Sequence, residues 1–187
     1  MRKLIVFNNV TLDGYFTDRN GDMSWAHQHD PEWLEFVQGN ASGGGELLFG
    51  RKTYDLMASY WPTPMASKHN PVVAEQMNKL PKIVFSRTMD HATWNNTRIV
   101  KGAVVAEMRN MKSAGGPGMA IFGSGQIVTQ FAQEGLIDEY QIAIHPIILG
   151  AGRTMFEGLK NKLALRLTKS RTFANGIVFA CYEPLPS

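Results

Sequence analysis

Residues 119–131 read Met-Ala-Ile-Phe-Gly-Ser-Gly-Gln-Ile-Val-Thr-Gln-Phe, and the reading of the whole chain turns on them. Residues 119–122 form a short continuous apolar run, as in a strand buried on both faces. Gly123, Ser124 and Gly125 follow at once, permitting a sharp turn that brings backbone N–H groups close to a ligand. From Ile127 the apolar side chains fall at Ile127, Val128 and Phe131, which is helical spacing. Strand, glycine-rich turn and helix N-terminus in succession make an anion site, because unpaired N–H groups and the positive end of the helix dipole point the same way. A nucleotide pyrophosphate suits such a site; a tight turn with no ligand is the other reading. The usual dinucleotide fingerprint does not fit, since Val128 stands where its third glycine belongs. That fingerprint also calls for an acidic residue about 20 positions on, and it normally opens a domain. No Gly-Lys-Ser/Thr triplet occurs, which excludes a P-loop.

Working outward, residues 4–10, 46–49, 82–85 and 97–100 read as strands, joined by 136–144, 163–169 and 177–182 after the central one. Helices are expected from Pro31, with Asp30 as N-cap and Trp33, Phe36 and Val37 as apolar face, and from Gly50 to about Ser59. Two more are expected at 72–78 and 104–111, with 62–64 as a proline-marked loop. Strands and helices alternate early and paired strands come last. The expectation is one α/β domain over 1–187, with about eight strands, mostly parallel, flanking helices and an antiparallel C-terminal edge.

The chain of 187 residues is 44% hydrophobic and 19% charged, the make-up of an ordinary globular protein. Net charge is only +3 and the cations are scattered, which speaks against nucleic acid and fits a small anionic ligand. Cys181 is the only cysteine, so intrachain disulfides are excluded and a reducing cytoplasm is expected. No signal peptide or membrane-spanning run is evident. His27, His29 and Asp30 lie close together, but no distant ligand pair completes a metal site, and none is expected.

Three strands end in related chemistry. Gly50-Arg51 with Thr53 follows the second, Ser86-Arg87-Thr88 the third and Gly123-Ser124-Gly125 the fifth. In an open α/β sheet, ligands bind beyond the carboxyl ends of the strands. Two arginines, hydroxyls and bare amides suit a phosphorylated nucleotide, because Arg grips phosphate bidentately.

Gly50-Arg51-Lys52-Thr53-Tyr54, Ile83-Val84-Phe85-Ser86-Arg87 and Phe122-Gly123-Ser124-Gly125 resemble the cofactor loops of the dihydrofolate reductase superfamily. Thr11-Leu12-Asp13-Gly14 and the stretch from Pro146 to Gly152 are similar to one branch of it, the reductase domain of the bifunctional riboflavin-biosynthesis deaminase/reductase. The resemblance covers residues 3–182, and no deaminase domain is expected. It implies NADPH as cofactor: Gly50, Arg51 and Thr53 at its phosphates, and Ser86 and Arg87 at the ribose 2′-phosphate. Gly123, Ser124, Gly125, Gln126 and Ile127 would hold the pyrophosphate. Phe122 departs from the glycine of true folate reductases at that place.

The implied activity is reduction of a pyrimidine- or pterin-like heterocycle. A true dihydrofolate reductase and a non-catalytic NADPH-binding module are the alternatives. For the acid, Glu32 on the first helix matches the folate reductases, whereas Asp13 after the first strand suits the riboflavin branch. Trp25 and Trp61 are candidate pocket walls. Leu149, Gly150 and Gly152 are expected beside the substrate, the nicotinamide or a partner subunit, and His145 stands at the mouth of their loop. A homodimer is expected from the apolar stretch 140–144, read as lying near a sheet edge.

Overall fold

In the computed structural model, which describes residues 1–186, β1 (Leu4–Thr11) runs through the interior of an eight-stranded sheet. Its neighbours are β6 (Met119–Phe122) and β7 (Glu139–His145), both parallel to it. Beyond β6 lie β3 (Glu46–Gly50), β4 (Lys82–Phe85) and β5 (Thr97–Val100), again parallel. On the other side, β10 (Val178–Pro184) pairs antiparallel with β7, and β9 (Leu165–Thr172) antiparallel with β10. The sheet is thus mostly parallel with an antiparallel edge, as the alternation of elements implied. A separate two-stranded sheet joins β2 (Tyr15–Thr17) to β8 (Arg153–Thr154).

The helices are α1 (Pro31–Ala41), α2 (Arg51–Tyr60), α3 (Pro64–His69), α4 (Pro71–Lys79), α5 (Val104–Ser113) and α6 (Gly125–Gln133). Asp30 caps α1 as expected, its carboxylate accepting from Trp33 N at 2.9 Å. Residues 62–64 are not only a loop. Thr63 Oγ1 accepts from Ala66 N, and Pro64 takes the first position of α3, where a missing N–H costs nothing. Strand β7 begins at Glu139 rather than 136, because Leu136 still closes the preceding helix and the chain first meets β1 at Asp138. Leu136 N donates to Phe131 O, and Asp138 N to Leu4 O.

Three apolar groups fill the faces of the sheet. Leu4, Val6, Ile121, Val128 and Phe131 pack under α5 and α6, and Phe49, Tyr54, Val84 and Trp94 under α2 and α4. Trp33, Phe173, Ile177 and Phe179 pack around α1. Full burial of Phe131 alone contributes about 1.5–3 kcal/mol. The homodimer expectation loses its premise here, since β7 lies between β1 and β10 and is no edge. The C-terminal edge is β9, all eight residues of which are exposed.

Lys82 opens β4 at the end of the sheet remote from the carboxyl ends and is almost fully buried. Its ammonium donates to the carbonyls of Asn78, Leu80 and Asn95 at 3.1, 2.7 and 3.2 Å. It also lies 4.5 Å from the Trp94 ring centroid. Asn78 lies in the last turn of α4 and Leu80 is its C-cap, an end where a cation complements the helix dipole. Burial still pushes the ammonium down from 10.5 to about 8. Between those values the unfolded chain holds the proton and the folded chain releases it, so stability rises with pH across that window. The unfolding free energy of the wild type relative to Lys82→Met should therefore climb between pH 8 and 10.5 and stay flat at lower pH. Chemical denaturation at stepped pH measures this; a constant difference would contradict it.

Candidate functional site

Strands β4, β3 and β6 are adjacent and parallel, with Leu48 in register with Ile83 on one side and Ile121 on the other. Their carboxyl ends therefore open side by side, bringing together the loops that begin at Gly50, Ser86 and Gly123. The loops are also knitted to one another. Gly50 N donates to Ser124 Oγ at 2.7 Å, and Ser124 N donates to Thr53 Oγ1 at 3.1 Å. Gly123 N donates to Asn8 Oδ1 at 2.9 Å, with Asn8 Nδ2 returning to Gly123 O at 3.4 Å.

Gly123 and Ser124 both adopt left-handed backbone, with φ of 59° and 62°. For Ser124 that conformation is uncommon, and it persists because both its N–H and its hydroxyl are pinned by neighbours. At Gly123 a Cβ would approach Thr53 Cγ2 and Oγ1 to 3.0 Å, so the turn requires glycine twice over. Phe122, at the place of a glycine in folate reductases, turns its ring toward Phe7 and Phe49, with centroids 5.6 and 6.4 Å away.

These bonds narrow the expected amide cradle. The N–H groups of Gly123 and Ser124 already have partners, and Ile127 N and Val128 N donate to Ser124 O. Ile127 instead packs its side chain against Gly50, where a Cβ would meet its Cγ1 at 3.3 Å. Gly125 and Gln126 are the residues whose N–H groups precede the first internal bonds of α6, and no side chain caps that end. Arg51 and Arg87, in the loops that follow the adjacent strands β3 and β4, are exposed. Arg51 Nε donates to Asp55 at 2.7 Å, a surface pair weak enough to be exchanged for a ligand. The Ser86 hydroxyl is buried and accepts from Met89 N and Thr88 N, so it shapes the loop that presents Arg87.

The acids expected from sequence have structural partners. Asp13 accepts from Thr11 Oγ1 at 2.6 Å and from the backbone N–H groups of Gly150 (2.7 Å) and Leu149. The Thr11 hydroxyl and then these amides lower its carboxyl below the ordinary 3.8. Glu32 accepts from Arg171 at 2.8 Å and from Ala174 N at 3.2 Å, tying α1 to the β9–β10 hairpin. The Arg171 bond lowers its carboxyl in turn. Both are anions at neutral pH, which does not suit a proton donor. Leu149 and Gly150 are thus held by Asp13. Gly152 is small because a Cβ there would lie 2.1 Å from Thr17 O; its close approach is to β2 within this chain.

On the α1 face of the sheet, His145 ends β7 almost wholly buried, with Nε2 2.9 Å from Asn9 Oδ1. Trp25 and Trp33 meet its ring edge-on, at centroid distances of 5.3 and 5.9 Å. Burial pushes the imidazole down to about 4, so it is neutral at physiological pH. Asn8 and Asn9 were missed as site residues. Two amides inside the otherwise apolar run at the start of the chain were the available signal.

A mostly parallel α/β sheet with an antiparallel edge, its carboxyl ends gathering a glycine turn, two arginines and an uncapped helix, is an architecture of the dihydrofolate reductase kind. Residues 2–179 match the family model of the RibD C-terminal domain, and the chain belongs to that family. The uncharacterized protein YyaP of Bacillus subtilis (strain 168) is 30% identical, over 97% of this chain and 95% of its own. A putative riboflavin biosynthesis protein from Shewanella sp. PV-4 superposes with a TM-score of 0.75 at 25% identity, covering 98% of this chain and 99% of that one. The Thermotoga maritima diaminohydroxyphosphoribosylaminopyrimidine deaminase/5-amino-6-(5-phosphoribosylamino)uracil reductase shares the fold, with a TM-score of 0.69 at 14% identity. There the match spans 98% of this chain and 57% of the larger one.

Gly123→Ala should destabilise the protein by about 1–3 kcal/mol, through left-handed strain and contact with Thr53. Gly115→Ala, with nothing near its Cβ, should stay within about 1 kcal/mol of wild type. Denaturant unfolding of both variants compares them; equal midpoints would contradict the assignment.

Proposed function

We propose that this chain is an NADPH-dependent reductase of a pyrimidine- or pterin-like heterocycle, akin to 5-amino-6-(5-phosphoribosylamino)uracil reductase. The observation that carries this reading is the alignment of the three loops at the carboxyl ends of β4, β3 and β6. The donor set suits the cofactor. Gly125 and Gln126 would present N–H groups to the pyrophosphate, and Arg51 with the start of α2 would lie at the phosphates. Arg87 would meet the ribose 2′-phosphate, the charge that separates NADPH from NADH. Bound there, the cofactor would supply a hydride. The chain's own work is then binding and orientation: Asn8, Thr53 and Ser124 fix the turn, and Asp13 fixes the 147–150 loop. A true dihydrofolate reductase is the second reading; Glu32, the acid it needs, would have to leave its exposed bonds with Arg171 and Ala174 N.

Fluorescence titration should find NADPH bound at least about tenfold more tightly than NADH, with Arg87→Ala removing the difference. Failure to bind either cofactor would overturn the reading. NADPH consumption over a panel of pyrimidines and pterins tests turnover, and tight binding without turnover would favour a non-catalytic module. A homodimer built on the exposed β9 edge belongs to the same proposal, and a monomer mass by light scattering would remove it.

A further inference from the structure

Four buried side-chain atoms lack a hydrogen-bond partner among the described residues: Trp25 Nε1, His145 Nδ1, Tyr140 Oη and Asn175 Nδ2. A buried donor or acceptor left unmade costs about 1–3 kcal/mol, so such atoms call for an explanation. The first two belong to rings in contact, with centroids 5.3 Å apart and planes near perpendicular. They are also opposite in kind. Trp25 Nε1 can only donate. His145 Nε2 faces an acceptor, Asn9 Oδ1, which places the proton on Nε2 and leaves Nδ1 with a lone pair. One unpaired donor and one unpaired acceptor are therefore carried by two rings in contact, with Trp33 as a second aromatic wall against the imidazole.

We propose that Trp25 Nε1 and His145 Nδ1 form a subsite that reads a lactam edge, the adjacent N–H and C=O of a flat heterocycle. The ring carbonyl accepts from Trp25, and the ring N–H donates to His145. A neutral imidazole is required for this, and burial keeps it so. Asn9 orients His145, and the preceding residue, Asn8, holds the Gly123 turn from the opposite face of β1. Trp25 sits on a 3₁₀ turn, Ser24–Ala26, and is only half buried as a residue, so the outer wall of the subsite borders solvent. The inference rests on the reductase reading for its location and goes beyond it by naming the edge of the substrate that is recognised.

The test uses the wild-type protein and two probes, uracil and 1,3-dimethyluracil, which has the carbonyls but no ring N–H. The indole N–H resonances of the four tryptophans are followed by ¹H–¹⁵N NMR, with Trp25→Phe identifying that of Trp25. Uracil should shift the Trp25 resonance and bind at least about tenfold more tightly than the dimethyl compound, the usual consequence of leaving one buried partner unmade. His145→Phe should erase the preference. An unmoved Trp25 resonance, or equal response to both probes, overturns the subsite without any variant having to fold. NADPH titrated into the same sample separates the two readings. Cofactor binding without lactam preference removes the subsite alone, and lactam preference without cofactor binding removes the cofactor assignment alone.

Discussion

Everything at the carboxyl edge of this sheet depends on two consecutive left-handed residues, Gly123 and Ser124. They reverse the chain between β6 and α6 within a space already occupied by Thr53, and they hold because three elements bind them. Asn8 reaches in from β1, Thr53 from α2 and the Gly50 amide from β3. A conformation that costs energy locally is stabilised by bonds that also fix the relative positions of the strand ends. The start of α6 is thereby aimed before any ligand arrives.

The same bonds explain which polar groups remain to act. Side chains that look like ligand contacts in sequence, Thr53, Ser86, Ser124 and Asp13, are occupied in holding backbone. What projects outward is a smaller set: the leading amides of α6 and the side chains of Arg51 and Arg87. Such a division, rigid supports behind a few presented groups, is what orientation of a bound molecule demands.

The strands were legible because a parallel sheet covered on both faces needs continuous apolar runs, and 47–49, 83–85 and 119–122 are such runs. The three loops were legible because glycine, arginine and hydroxyl recur at their ends. Other features were hidden for physical reasons. β2 and β8 are three and two residues long, too short for any periodicity to register. Pro64 reads equally as a breaker and as a first helical residue, and only the Thr63 cap decides. Neither the Glu32–Arg171 pair nor the Gly152–Thr17 approach has a local signal, since each joins segments far apart in the chain. The interior place of β7 likewise follows from pairing order, which composition does not encode.

The interior place of β1 bears on how the protein is made. Asn8 and Gly123 are 115 residues apart, and Leu4 and Asp138 are 134 apart. β1 therefore leaves the ribosome well before either of its neighbours, β6 and β7, and must wait, largely apolar and unpaired, until they emerge. Long-range pairing of this kind folds slowly and leaves nascent chains open to association. The two amides at its carboxyl end, Asn8 and Asn9, interrupt that apolar run during the delay, and the same pair later anchors the finished turn and the buried imidazole.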